Sequence, residues 1–344
     1  MSDQQDDKTL NLYPIDYPFE TLSQRMSSTP PKLILDPEFQ RKYKWDAGGW
    51  VRASRFIESC LMRIPLPSCY FAEDDDRKHL VIDGVQRLTT IHNFFQDGFA
   101  LEGLTTFKNL EGKKFSELGE YQAELESTTI RCIVLRKENP KYLIREIFSR
   151  LNQGAVELTA QEIRHAIYPG VLDDLLIVLS EHPLIQQFSF AEGSNRKKDG
   201  REAEEQVLRF FAFHEKFNEY EGNLKAFLDD YMQDKEHITP EESQVLGDLF
   251  TTALDKCLEV FGESVFCDTT RQRVKQGLVY YDLLMPTVGL LDQKIIDRKG
   301  PKIQAAFEEL CRSEAFRRTM SGGLQKKAAL LRRRQLWAKL LEGI

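Results

Sequence analysis

None of the six cysteines (Cys60, Cys69, Cys132, Cys257, Cys267 and Cys311) stands in a C-x-x-C pair. Zinc ribbons and dithiol redox motifs need that spacing, so the scatter predicts reduced, metal-free thiols in a cytoplasmic protein. Long apolar runs are missing too. The longest weakly charged stretch, residues 277–291, contains Asp282 and Pro286 and falls short of the ~20 residues a membrane helix needs. The opening MSDQQDDKTL is acidic where a signal peptide is basic and then apolar. Positive charge is also in deficit. Lys and Arg number 47 against 54 Asp and Glu, for a net charge of -7. That removes any global electrostatic case for nucleic acid or an anionic membrane and leaves only local ones.

What remains is a chain of 344 residues, 41% hydrophobic and 29% charged, an ordinary globular composition with room for two domains. The first part mixes strand and helix signals. Leu33-Ile34-Leu35 is a short apolar run ended by Asp36-Pro37. Val51, Phe56, Ile57 and Leu61 space a helix between Gly49 and Met62, and Ile64-Pro65-Leu66-Pro67 closes it. Cys69–Ala72 and His79–Ile82 read as strands, with Asp74-Asp75-Asp76 as the turn between them. From Thr128 to Arg136, apolar residues fall on both faces, the pattern of a central strand.

Beyond Pro140 almost everything reads as helix. Leu143, Ile144, Ile147, Phe148 and Leu151 form one buried stripe ending at Gly154. Thr159 with Glu162, and Thr239-Pro240 with Glu242, are capping boxes that start helices. Residues 192–200, EGSNRKKDG, form an exposed loop or junction. The expected architecture is α+β, with a mixed domain over 19–191 and a mostly helical domain over 201–344.

Three stretches carry polar chemistry. In LVIDGVQRLTTIHNFF, residues 80–95, a strand passes through Asp83-Gly84 into a helix with Gln86 and Arg87 in its first turn. The amides and dipole of a helix N-terminus favour an anion, and Arg87 adds a planar fork. Equally, Asp83 can be an N-cap, Gly84 a turn residue and Arg87 a solvated side chain. The stretch EFQRKYKWD, residues 38–46, interleaves cations with Phe39, Tyr43 and Trp45, which suits phosphates beside a stacked base or a basic loop with its rings in the core. In EIFSRLNQGAVELTAQEIRHAIYPG, residues 146–170, Arg150 and Asn152 end one helix while Glu162 and Arg164 begin the next.

Taken together and in this order, the stretches resemble the N-terminal domain of GmrSD-type restriction endonucleases. The matching residues are Phe39-Gln40-Arg41 with Trp45, Ile82-Asp83-Gly84 with Gln86-Arg87-Leu88-Thr89-Thr90, and Phe148, Arg150, Asn152, Gly154, Leu158, Glu162 and Arg164. The resemblance runs from about Phe19 to Gly170. It implies a ParB/sulfiredoxin-like fold and a nucleoside triphosphate bound with magnesium, coupled to nicking or cleavage of foreign DNA in antiphage defence. Asp83, Gln86 and Arg87 are the implied catalytic residues, with Asp83 on the metal. Gln40, Arg41, Tyr43, Trp45, Gly84, Thr89, Arg150, Asn152 and Arg164 are the implied nucleotide contacts.

Two departures from the family pattern stand out. Val85 occupies the place of the family's usual glutamine. The histidines (His79, His92, His165, His182, His214, His237) show no HNH-type nuclease cluster, so the second half is not expected to be such a nuclease. That half has its own anomaly. Arg312, Arg317, Arg318, Lys326, Lys327, Arg332, Arg333, Arg334 and Lys339 face only Glu314 over residues 312–339. Arg317, Arg318, Lys326, Lys327, Arg332, Arg333 and Arg334 are the expected DNA-phosphate contacts; a solvated face or a seat for an acidic partner fits the same charge. Leu330, Leu331, Leu336, Trp337 and Leu340 read as the packed side of that helix. The leading expectation is a nucleoside-triphosphate-dependent endonuclease or NTPase with DNA as partner, without membrane contact. The alternative is a non-catalytic nucleotide- or DNA-sensing module that regulates an effector protein or assembles with its own copies.

Overall fold

The computed structural model describes residues 10–35, 43, 45–46, 48–74, 76–151, 159–188, 201–272 and 274–344. The chain divides into two units, 1–158 and 159–344. The first contains β1 (Leu12–Pro18), α1 (Phe19–Ser27), β2 (Leu33–Ile34), α2 (Val51–Leu61), β3 (Cys69–Glu73), β4 (His79–Asp83) and α3 (Val85–Phe95). It continues with α4 (Tyr121–Ser127), β5 (Thr129–Leu135) and α5 (Lys141–Leu151).

The strands form one sheet in the order β1-β5-β3-β4-β2. β5 runs parallel to β3 and β2 parallel to β4; the other pairings are antiparallel. β5 is the central strand its two apolar faces announced. Ile130, Cys132 and Val134 join Cys69, Phe71 and Val81 on one face, buried against Phe19, Leu22, Ile57, Leu88, Ile91 and Phe94 of the helices. On α5, which packs against β4, Ile144 and Phe148 are buried. The sequence reading missed β1. Pro14 and Pro18 lack the amide that a central strand donates, and β1 tolerates them because it lies at the sheet edge.

α3 does not start as expected. Gly84, with φ 103°, is its N-cap residue and no side chain caps the helix. Asp83 therefore ends β4 and is not the N-cap, because the left-handed glycine separates it from the first helical turn. The helix ends where Asp97-Gly98 predicted: Asp97 turns to φ 55°, and the Gly98 amide donates to the Asn93 carbonyl at 2.8 Å.

The second unit has no strand among its described residues. It comprises α6 (Ala160–Ile167), α7 (Val171–Ser180), α8 (Pro183–Gln186), α9 (Glu202–Glu215) and α10 (Leu224–Asp234). After these come α11 (Pro240–Phe261), α12 (Leu278–Leu284), α13 (Gln293–Arg312), α14 (Glu314–Arg318) and α15 (Lys327–Leu341). Both capping boxes form. The Glu162 carboxylate accepts from the Thr159 amide at 2.7 Å, and Glu242 accepts from Thr239 at 2.8 Å. The architecture is thus α+β followed by helices. The junction expected at 192–200 lies outside the described residues. α6 and α7 belong to the second unit, where Arg164 of α6 is buried and paired with Asp229 of α10. No helix among the described residues is long and apolar enough to cross a membrane.

Candidate functional site

The β4–α3 turn is built on sulfur. A Cβ at Gly84 would stand 2.4 Å from the Cys69 sulfur and 3.4 Å from a terminal nitrogen of Arg87. Cys69 is the register partner of Cys132 on β5, and both are fully buried. The hydrogen bond to Cys69, followed by burial, raises the Cys132 thiol, so it stays neutral beneath the turn. Above this layer, Arg87 donates from Nη2 to Asp83 Oδ2 at 2.8 Å and to the Ser68 carbonyl at 3.3 Å. Its Nη1 donates to the Pro67 carbonyl. Arg87 is thus tied to its own strand and to the segment before β3, with 13% of its side chain exposed against 35% for Asp83. Residues 67–68 had no side-chain signal in the sequence, because they act through backbone oxygens.

The structure also brings Tyr43 to this helix. Its hydroxyl is 2.7 Å from the Thr90 hydroxyl, which donates to the Gln86 carbonyl at 2.7 Å. Burial pushes Tyr43 up to about 12. The Tyr43 ring lies 6.2 Å from Trp50, while Trp45 packs on Phe56 at 5.3 Å with Arg52 over its ring. Tyr43 and Trp45 are therefore held by contacts within the unit, and neither is set out to stack on a base. Thr89 is buried, and its hydroxyl has no hydrogen-bond partner among the described residues. Val85 packs against the hydrophobic core. Apolar contact thus replaces whatever polar contact a glutamine would make there.

Other expected contacts have partners of their own. Arg150 is exposed and pairs with Glu146 at 2.8 Å. Arg164, 1% exposed, is held within the second unit by Asp229 at 2.8 Å, Glu205 at 2.9 Å and Gln161 at 2.9 Å. It is a structural ion-pair centre there, because every one of those carboxylates and amides already occupies its fork. Gln40, Arg41 and Asn152 lie outside the described residues. Among the described residues no group of three His, Cys, Asp or Glu side chains is arranged to hold a metal ion.

Residues 20–169 match the family described as GmrSD restriction endonuclease, N-terminal domain. This part of the chain is a GmrSD N-terminal domain. The GmrSD match covers the Asp83–Arg87 turn, the basic aromatic loop and the capping box of α6. No curated protein and no solved structure gives a match.

Outside the GmrSD match, the basic C-terminal segment is only partly a free surface. Arg332 and Lys326 are exposed, Arg318 pairs with Glu314 at 2.5 Å, and Lys327 pairs with Glu221 at 2.7 Å. Arg333 and Arg334 do not belong to a phosphate surface. Arg333 is 3% exposed and donates to the Thr319 hydroxyl and to the Thr319 and Leu324 carbonyls, at 3.1, 2.9 and 2.7 Å. Arg334 lies 3.4 Å over the Phe217 ring, and burial pulls it down to about 10. The reason is helical spacing. Leu330 and Trp337 are the buried apolar residues of α15, and positions 333 and 334 share their stripe. Leu331, expected on the packed side, is 38% exposed.

Proposed function

We propose that the GmrSD domain binds a nucleoside triphosphate with magnesium at the Gly84 turn, and that the chain acts on DNA in restriction of foreign nucleic acid. The observation that carries this reading is the turn itself. A left-handed glycine delivers β4 into α3 with Asp83 and Arg87 beside the helix start, where first-turn amides and the helix dipole favour phosphate. Gly84, at φ 103°, sets the left-handed bend after which those amides begin.

The residues fit magnesium in one specific manner. No multi-ligand protein cage is present among the described residues, but magnesium bound with a nucleotide needs only one or two carboxylates beside phosphates and water. Asp83, partly exposed at the strand end, would hold it. The ion supplies charge neutralisation between carboxylate and phosphates. With Asp83 so engaged, the Nη2 of Arg87 is available to a phosphate oxygen in place of its present carboxylate partner. Phosphoryl transfer depends mainly on positioning and charge stabilisation, so a nucleophilic side chain is not required.

Calorimetric titration of the common nucleoside triphosphates, with magnesium and with chelator, tests the reading on wild type, Asp83→Asn and Arg87→Lys. Wild type is expected to bind with magnesium and to lose the heat in chelator. Arg87→Lys, a point charge without a fork, is expected to weaken binding about tenfold. Absence of heat with every triphosphate refutes the site. Val85 favours a second reading, nucleotide sensing without hydrolysis, since its side chain serves the core. Phosphate release from the same protein separates the two.

A further inference from the structure

We infer that the second unit carries a DNA-backbone contact centred on Arg271 and Arg317, formed by the loop after Cys267 together with α14. The inference rests on the proposed action on DNA and names where the backbone is held.

Cys267 and Gln276 form an antiparallel bridge, and the Gly277 amide donates to the Phe266 carbonyl at 2.9 Å, so the intervening loop is closed at its base. No Asp or Glu occurs from Thr269 to Tyr281, whereas Arg271, Arg273 and Lys275 do. The single acid at the loop's start, Asp268, is buried. It accepts from the Thr270 amide at 3.0 Å, the Thr270 hydroxyl at 2.5 Å, Arg271 Nε at 2.8 Å and the Tyr280 hydroxyl at 3.3 Å.

Tyr280 links this loop to α14. Its ring stacks against Phe316 at 6.3 Å, and Phe316 is buried immediately before Arg317. Arg317 donates from Nε to the Cys311 carbonyl at 3.0 Å. Burial first, then the Asp268 carboxylate, pushes the Cys311 thiol up to about 12, while Arg271 and Arg317 both act to lower it. Both guanidiniums thus act on one thiol. Each is fixed through Nε, and the terminal nitrogens of each have no acceptor among the described residues. Both residues are exposed.

Forks held by one edge and open on the other suit phosphate oxygens, because part of the side-chain ordering is already done. Around them, Arg312 and Arg318 are neutralised by Glu308 and Glu314. The α15 triplet is largely absorbed by packing, so the available forks lie here. Such contacts position a duplex without reading its sequence.

Fluorescence anisotropy of the full chain with two unrelated DNA duplexes, across ionic strength, tests the proposal. Arg271→Gln/Arg317→Gln is expected to flatten the log–log salt slope by roughly 2 and to weaken both duplexes about equally, since each lost phosphate contact removes about one unit. Arg317→Gln alone leaves the Asp268 cluster intact and is expected to flatten it by about 1. Arg332→Gln is expected to leave most of the slope. A wild-type slope in both Arg317 variants overturns this surface while leaving DNA action standing. Absence of salt-dependent binding by wild type overturns both.

Discussion

At Gly84 a φ of 103° and a sulfur 2.4 Å from any added Cβ forbid a side chain for two separate reasons. The left-handed backbone disfavours an L-residue, and Cys69, locked between strands with no exposure, cannot withdraw. Gly84→Ala is therefore expected to cost about 2–4 kcal/mol of stability, combining the backbone term with overpacking. The two causes separate in a double-mutant cycle. Removing the sulfur in Cys69→Ala relieves the clash but not the φ, so the Gly84→Ala/Cys69→Ala loss measured by urea denaturation should be smaller than the sum of the single losses. Strict additivity would mean that the turn does not rest on Cys69. Arg87 obeys the same logic of double duty. It joins Asp83, Pro67 and Ser68, so the arginine read as the anion contact is also the brace of the turn.

Among the elements, legibility followed whether side chains or backbone made the structure. The central strand β5, the helix α3 with its stop at Asp97-Gly98, and the capping boxes at Thr159 and Thr239 were readable because each has a side-chain pattern. β1 was not, since its two prolines argue against a strand until an edge position is known. Carbonyl partners of Arg87 leave no trace in sequence either. The basic run in α15 misled for another reason: three adjacent arginines look alike, but only helical phase decides which is buried. Extending the Leu330–Trp337 stripe by three and four residues would have marked Arg333 and Arg334. Arg333→Ala is expected to cost about 2–4 kcal/mol, because it strips a buried charged donor from its oxygen acceptors. Arg332→Ala, at an exposed position, should stay within about 0.5 kcal/mol of wild type. Equal losses in denaturant titrations would contradict this assignment of the helix face.

For the whole molecule, the family match ends at residue 169, and the chain divides into two units at residue 158. The first holds the turn read as a nucleotide site; the second holds the arginines read as a DNA contact, in a chain whose net charge of -7 gives no general attraction to DNA. The measurement that bears most directly on the central claim is hydrogen exchange, followed by mass spectrometry, with and without a nucleoside triphosphate and magnesium. A ligand bound to the native state suppresses opening where it is held. The account predicts added protection concentrated in peptides spanning Ile82 to Thr90, lost in Asp83→Asn, with the peptides of α15 unchanged. Protection confined to the second unit, or ligand binding with no change across Gly84, would contradict it.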